Sequence, residues 1–389
     1  MKIVIALLIF SLIIIIHELG HFLLARFNGV EVTEFSLGMG PRIFTFVKTD
    51  KGIRIKFFAS QKYCDAQEDF VGKTMYSIKI LPFGGSCIML GEDDVVDAEN
   101  AFCKKNVYQR MSIVFAGPFF NFLLAFILSI IIVAVAGYDK PMVVSVEDGM
   151  PMKEAGVMAG DEIVEINGSR IHLDREISTY FMMNPLSEDE DVTFTIKRGE
   201  EKFDVTVQAK LAPSENVSDG FAETVTGEDA EPVGTYRVGF VHGAERVKGN
   251  VVDVIKYSVY EVKYWIVTTV KSLGMMITGQ VGKDEISGPV GIVNTIGDLV
   301  DDSKDFGISS VMLTLMSFCI LLSANLGVMN LLPIPALDGG RLLFQIIEVI
   351  RRKPINPEKE GMITVIGFVA LMILMVFILF NDITKIIFG

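Results

Sequence analysis

Cysteine is scarce in this chain, with four among 389 residues, and none falls between residues 138 and 307. That excludes a disulfide framework for the longest polar segment. A basic surplus is also missing. The 35 Lys and Arg stand against 48 Asp and Glu, for a formal net charge of −13, and the excess acid lies in that same segment, so no nucleic-acid-binding face is expected. Internal repeats and low-complexity tracts are absent. No small-residue cleavage site follows the first apolar run, which argues against a removable signal peptide. Histidine is sparse too, at four, so two of them close together carry weight.

What the chain has in quantity is apolar sequence: half of it is hydrophobic and the mean hydropathy is +0.45. Apolar runs at about 3–24, 111–136, 308–332 and 361–381 each approach the roughly 20 residues that a bilayer-spanning helix needs. The expected fold is therefore a polytopic α-helical membrane protein with about four transmembrane helices. Lys and Arg gather between the first two spans and again in Arg341, Arg351, Arg352, Lys353 and Lys359. Both termini and the long segment after the second span are thus expected outside the cell, with the other loops in the cytoplasm.

Along the chain the first span covers 1–26. A small membrane-associated β-sheet is expected within 27–106, from Val30–Leu37, Arg42–Lys48, Gly52–Phe58 and Lys79–Gly91, which are rich in Val, Ile and Phe. The second span covers 107–137 and a compact α+β domain 138–211, where Asn167-Gly168 marks a hairpin turn. Residues 212–248 read as a linker, acidic over 212–232. Within 249–307 an amphipathic helix presents Trp265, lying in the membrane interface or packing on the external domain. The third span covers 308–335, a cytoplasmic-side helix 336–360, and the fourth span 361–389.

His17 and His21 are four apart, so on a helix they share one face and can share a zinc ion, while Glu18 is placed to act as base on an attacking water. Their setting in a hydrocarbon span, where an ionisable group costs several kcal/mol unless partnered, favours function over structure. At about 1.5 Å per residue His17 lies roughly 23 Å from the outer end, near the cytoplasmic face. A third ligand is needed. His172 and His242 lie in the external segment, so the best carboxylate is Asp338, which follows the proline-broken Asn330 to Leu337; the alternative is an N-cap for the next helix. Asn330 either bonds between helices or assists near substrate. Gly84 and Gly85 in the strand Lys79–Gly91 allow close backbone approach, so that a substrate unwound from its helix could add as a strand; ordinary sheet structure is the alternative. Gly117-Pro118 reads as a helix start at a membrane face, and Ser287 to Ile292 as a loop dipping toward the site or a simple turn.

HELGH at 17–21, FSLGMGP at 35–41, LPFGG at 81–85, FAGPFFN at 115–121, SGPVGI at 287–292 and NLLPIPALDGG at 330–340 together resemble the site-2 protease family in its bacterial form, along nearly the whole chain. Ser86-Cys87 departs from the aromatic-Val pair of many relatives. The resemblance implies an intramembrane zinc metalloendopeptidase of regulated intramembrane proteolysis, with zinc on His17, His21 and Asp338, Glu18 as base and Asn330 near the substrate. It implies that Ala155 to Ile163 and Ile166 to Gly168 belong to one extracytoplasmic PDZ domain. It also implies residence in the cytoplasmic membrane, and as partners the lipid bilayer and single-span membrane proteins, such as anti-sigma factors or remnant signal peptides, pre-trimmed by another protease. A noncatalytic zinc-holding scaffold would have no use for Glu18. A metal transporter would need further ionisable groups along its spans.

Overall fold

The computed structural model describes residues 2–388 apart from 93–95, 189, 213–234, 244–245 and 281–287. It divides into two compact units, Met1–Ser129 with Trp265–Gly389, and Ile130–Tyr264.

The first unit opens with α1 (Lys2–Phe27), a helix dominated by Ile and Leu that carries the HELGH motif. Strands β1 (Val32–Thr49) and β2 (Gly52–Phe57), a short α2 (Gln61–Asp65) and β3 (Met75–Met89) follow, in sheet order β2-β1-β3. The two strands expected over 30–48 form one, because Gly38 and Gly40 take positive φ just before Pro41 and bend β1 without ending it. Residues 34–37 consequently register both with Met75–Ile78 and with Gly85–Ile88 of β3. One sheet face is apolar, with Phe22 of α1 edge-on to Phe35 and Tyr76. The other buries Glu34, whose carboxylate accepts from Arg42 Nε at 2.7 Å and Nη2 at 2.8 Å. Burial alone would raise the Glu34 carboxyl, but Arg42, Ser77 and Lys79 hold it below the usual carboxylate range.

Next comes α3 (Val107–Ala136), with Pro118 inside it. The expected helix start at Gly117-Pro118 is therefore wrong. A proline removes one intrahelical donor, and in an apolar bundle neighbouring helices absorb that loss.

The second unit contains β4 (Val143–Val146), α4 (Pro151–Glu154), β5 (Glu162–Ile166), β6 (Ser169–Arg170), α5 (Arg175–Met183), β7 (Asp191–Arg198), β8 (Glu201–Gln208), β9 (Lys210–Ala212), β10 (Thr235–Arg237) and β11 (Phe240–His242). Its main sheet runs β6-β5-β7-β8, with β11 on β4 and β10 on β9. Asn167 and Gly168 both take positive φ and turn β5 into β6, as expected. The linker over 212–248 needs correction: residues 235–242 form β10 and β11, and Val238 joins the core around Ile163, Phe194 and Ile196. The domain therefore runs past residue 211. The rest of the acidic 212–232 stretch, apart from Ala212, lies outside the described residues.

Asp161 is 1% exposed and accepts from Arg198 Nε and Nη2, each at 2.7 Å, and from the Met158 N–H at 3.0 Å. Burial tends to raise its carboxyl, but Arg198 and that N–H hold it below the usual range. A depressed native value means that the stabilisation is complete above the ordinary aspartate value of about 3.9 and is lost as pH falls below it. Asp161→Asn should lower the stability of this unit by about 1–3 kcal/mol near neutrality and flatten its pH dependence below pH 5, read by amide hydrogen exchange of β5 and β7.

Helix α6 (Val251–Ile277) buries Tyr257, Ser258 and Glu261 in the second unit, where Arg175 donates to Glu261 at 2.7 Å. Of the two alternatives for this helix, packing on the domain describes its N-terminal half. Helices α7 (Pro289–Ser303), α8 (Ile308–Leu331), α9 (Asp338–Arg351) and α10 (Pro357–Phe388) complete the first unit. Gly288-Pro289 is neither a loop nor a simple turn but the start of α7. Asp382 of α10 accepts there from the N–H groups of Gly288, Val290 and Gly291 at 2.9, 3.1 and 3.1 Å. Ser287 lies outside the described residues. Among the described residues four helices are long and apolar enough to cross a membrane, at Lys2–Phe27, Val107–Ala136, Ile308–Leu331 and Glu358–Thr384. Ile13 of α1, Leu124 of α3 and Cys319 of α8 meet in a common core.

Candidate metal centre

Three side chains of the first unit converge. His17 and His21 stand one turn apart on α1, and both are buried. Their Nε2 atoms are 3.2 Å apart. Asp338 Oδ2 lies 3.2 Å from His17 Nε2 and 3.5 Å from His21 Nε2. Ligand atoms about 2.0–2.1 Å from a tetrahedral zinc are separated by about 3.3 Å. The three observed edges match that triangle.

The partners of the far ring nitrogens bear on what these atoms offer. His21 Nδ1 is 2.9 Å from the Ile113 carbonyl oxygen, which can only accept, so Nδ1 carries the proton and, in the neutral ring, Nε2 a lone pair. His17 Nδ1 is 3.1 Å from the side-chain amide of Asn121. That amide is wholly buried; its Nδ2 is placed toward His17, and among the described residues its Oδ1 has no hydrogen-bond partner. Turning the amide over supplies His17 Nδ1–H with an acceptor and frees its Nε2 as well; the choice of face is one of assignment. Two lone pairs and a carboxylate oxygen then face one another across little more than 3 Å. Among the described residues Asp338 Oδ2 is buried and has no hydrogen-bond partner beyond the two imidazoles it faces. Such a set repels itself unless a cation sits between, so the donor chemistry fits a zinc ion.

Local sequence explains how the groups arrive. Gly117 of α3 faces both rings: a Cβ there would stand 2.3 Å from His21 Nε2 and 2.7 Å from His17 Cε1. Gly20 of α1 lets the two helices close, since a Cβ on it would meet the Ala116 carbonyl oxygen at 2.4 Å. Asp338 follows the nonhelical Leu332–Leu337, in which Ala336 takes a φ of 78°, a left-handed conformation that costs a non-glycine residue about 1–2 kcal/mol. Asp338 is the first residue of α9, and the capping position, Leu337, makes no side-chain cap bond. The N-cap alternative for Asp338 therefore fails, and its side chain is turned to the histidines.

Glu18 is half-buried, and Gly85 brings β3 against it: a Cβ on Gly85 would stand 3.1 Å from Glu18 Cγ. Gly84 takes a φ of 85° beside Met39. Asn330, half-buried on the last turn of α8, carries none of the hydrogen bonds that hold the cluster. Sequence reading assigned Asn121 no role, although a lone amide in an apolar span is a signal of function. The Ile113 carbonyl leaves no trace in sequence.

The model of peptidase family M50 matches residues 5–70 and 66–374. The zinc metalloprotease RasP of Geobacillus kaustophilus is 30% identical over 458 aligned residues, covering 97% of this chain and 96% of that one. The regulator of sigma-W protease RasP of Bacillus subtilis is 29% identical, covering 97% of each. A Clostridium acetobutylicum protein named for the same zinc-metalloprotease class is 34% identical, covering 98% of this chain and 97% of that one. A solved PDZ domain from Listeria innocua matches 27% of the chain and 93% of its own length at 22% identity, with a TM-score of 0.19, too low to weigh. With its membrane helices, its matched length and these relatives, the chain belongs to peptidase family M50, the site-2 proteases, as a multi-pass zinc metalloprotease.

Proposed function

We propose that the chain cuts single-span membrane proteins within their transmembrane segments, with His17, His21 and Asp338 as zinc ligands and Glu18 as general base. The observation that carries this reading is the triangle of Nε2, Nε2 and Oδ2 atoms set in an apolar helix bundle. Zinc, when bound, supplies Lewis acidity toward water and carbonyl oxygen. The chain does the rest. Ile113 and Asn121 hold the imidazoles in the tautomer that leaves Nε2 bare. Glu18 takes the proton of the attacking water and returns it to the leaving amine nitrogen. A substrate helix hides its peptide bonds in its own hydrogen bonds and must be drawn out before attack. Strand β3 is an edge of its sheet, and its Gly84-Gly85 segment lies against Glu18. A drawn-out substrate adding there brings its backbone to the base. Asn330 is assigned a supporting part near the substrate.

One relative's name ties it to sigma-W, which supports an anti-sigma factor as substrate, alongside remnant signal peptides, each pre-trimmed by another protease. Charge distribution supports placing both termini and the second unit outside the cell and the cluster toward the cytoplasm. The second unit is assigned as the PDZ module, screening out untrimmed substrates by size. The test is cleavage of a single-span fusion by the protein in liposomes. Cuts mapped by mass spectrometry should fall inside the span, stop on chelation and return with zinc. Cuts confined to the aqueous flanks would overturn the reading.

A further inference from the structure

Asp338 is the ligand that comes from far along the chain, so something must fix its position against α1. Helix α3 touches both histidines through one stripe: Ile113, Gly117 and Asn121 are spaced by four residues, one face of a helix. The next residue of that stripe is Arg110, three before Ile113. Its Nη2 donates to Glu348 Oε1 of α9 at 2.7 Å, and both side chains are only 18% exposed. On α9 itself, Glu348 lies seven residues after Arg341, two turns on and on the same face. Arg341 pairs with Glu92, just beyond β3. Two ion pairs about 10 Å apart along one face fix a helix in both position and tilt.

The first turn of α9 has no slack to absorb a shift. A Cβ on Gly339 would meet the Leu332 carbonyl oxygen at 2.2 Å, and one on Gly340 the Ile334 carbonyl oxygen at 2.4 Å. Displacement of α9 is thus passed to Asp338. We propose that Arg110 and Glu348 are positioning residues of the metal centre, through which the helix that orients both imidazoles also sets the reach of the carboxylate. This rests on the zinc assignment above.

The test measures zinc affinity of the full-length detergent-solubilised protein by competition with a chromophoric chelator, together with its thermal midpoint. Arg110→Gln and Glu348→Gln should each weaken zinc binding by about 10–100-fold, the range for residues that orient ligands. Their thermal midpoints should fall, as expected when one partner of a largely buried ion pair is removed, with the chain still folded at the temperature of the zinc titration. The exchanged pair Arg110→Glu with Glu348→Arg should recover most of the affinity. Affinity within twofold of the parent in both single variants overturns the proposal. So does unfolding of both, because the pair would then hold the bundle rather than the ligand. Failure of the parent itself to bind zinc would instead sink the metal assignment.

Discussion

Glu18→Gln is expected to lower kcat for cleavage of a single-span substrate by about 10²–10⁴-fold while zinc content stays at one ion per chain. The size is that of losing a general base. The reasoning is geometric. Glu18 is not a member of the ligand triangle, so an isosteric amide should leave the triangle and its holding bonds from Ile113 and Asn121 intact. What it loses is a group able to accept the water proton beside Gly85. Burst kinetics and metal analysis on the same sample check both halves. A variant that keeps full activity with its zinc bound would remove Glu18 from the chemistry.

Gly117→Ala should have a comparably large effect by another route, with zinc affinity falling at least about 100-fold. The added methyl would stand 2.3 Å from His21 Nε2, 2.6 Å from His21 Cε1 and 2.7 Å from His17 Cε1, all below any tolerable separation. Side chains often swing away from such a clash, but these rings are tied behind, by the Ile113 carbonyl and by Asn121. Moving them by the ångström required gives up those bonds and the 3.2–3.5 Å spacing together, and loss of the ligand-orienting bonds alone typically costs about 10–100-fold in metal affinity. Because α3 has Gly117 within its helix, alanine is not disfavoured by backbone conformation. Chelator competition should show the loss with helical content unchanged.

Much of the candidate centre was legible in sequence because its first part is local. Histidines at 17 and 21 must share a helix face, and the prolines at 333 and 335 marked the nonhelical approach to Asp338. What could not be read is the supporting layer, since it depends on which helix lies alongside. Gly117-Pro118 resembles a helix N-terminus by composition, whereas its role is to leave room for two imidazoles in mid-helix. A backbone carbonyl such as that of Ile113 has no residue signature at all. In the second unit, β10 and β11 escaped notice because the acidic stretch before them dominated the window, although Tyr236 to Val241 alternates as a strand should. Asp382, far from Gly288 in sequence, became recognisable as a partner of the α7 N-terminus only once the two helices were side by side.

X-ray absorption at the zinc edge of the purified full-length protein tests the central assignment most directly. The expected spectrum has one zinc per chain with imidazole nitrogen and carboxylate oxygen at about 2.0–2.2 Å and no sulfur, and Asp338→Ala should lose the carboxylate contribution. A sulfur shell near 2.3 Å, or a spectrum unchanged in Asp338→Ala and His17→Ala, would contradict it.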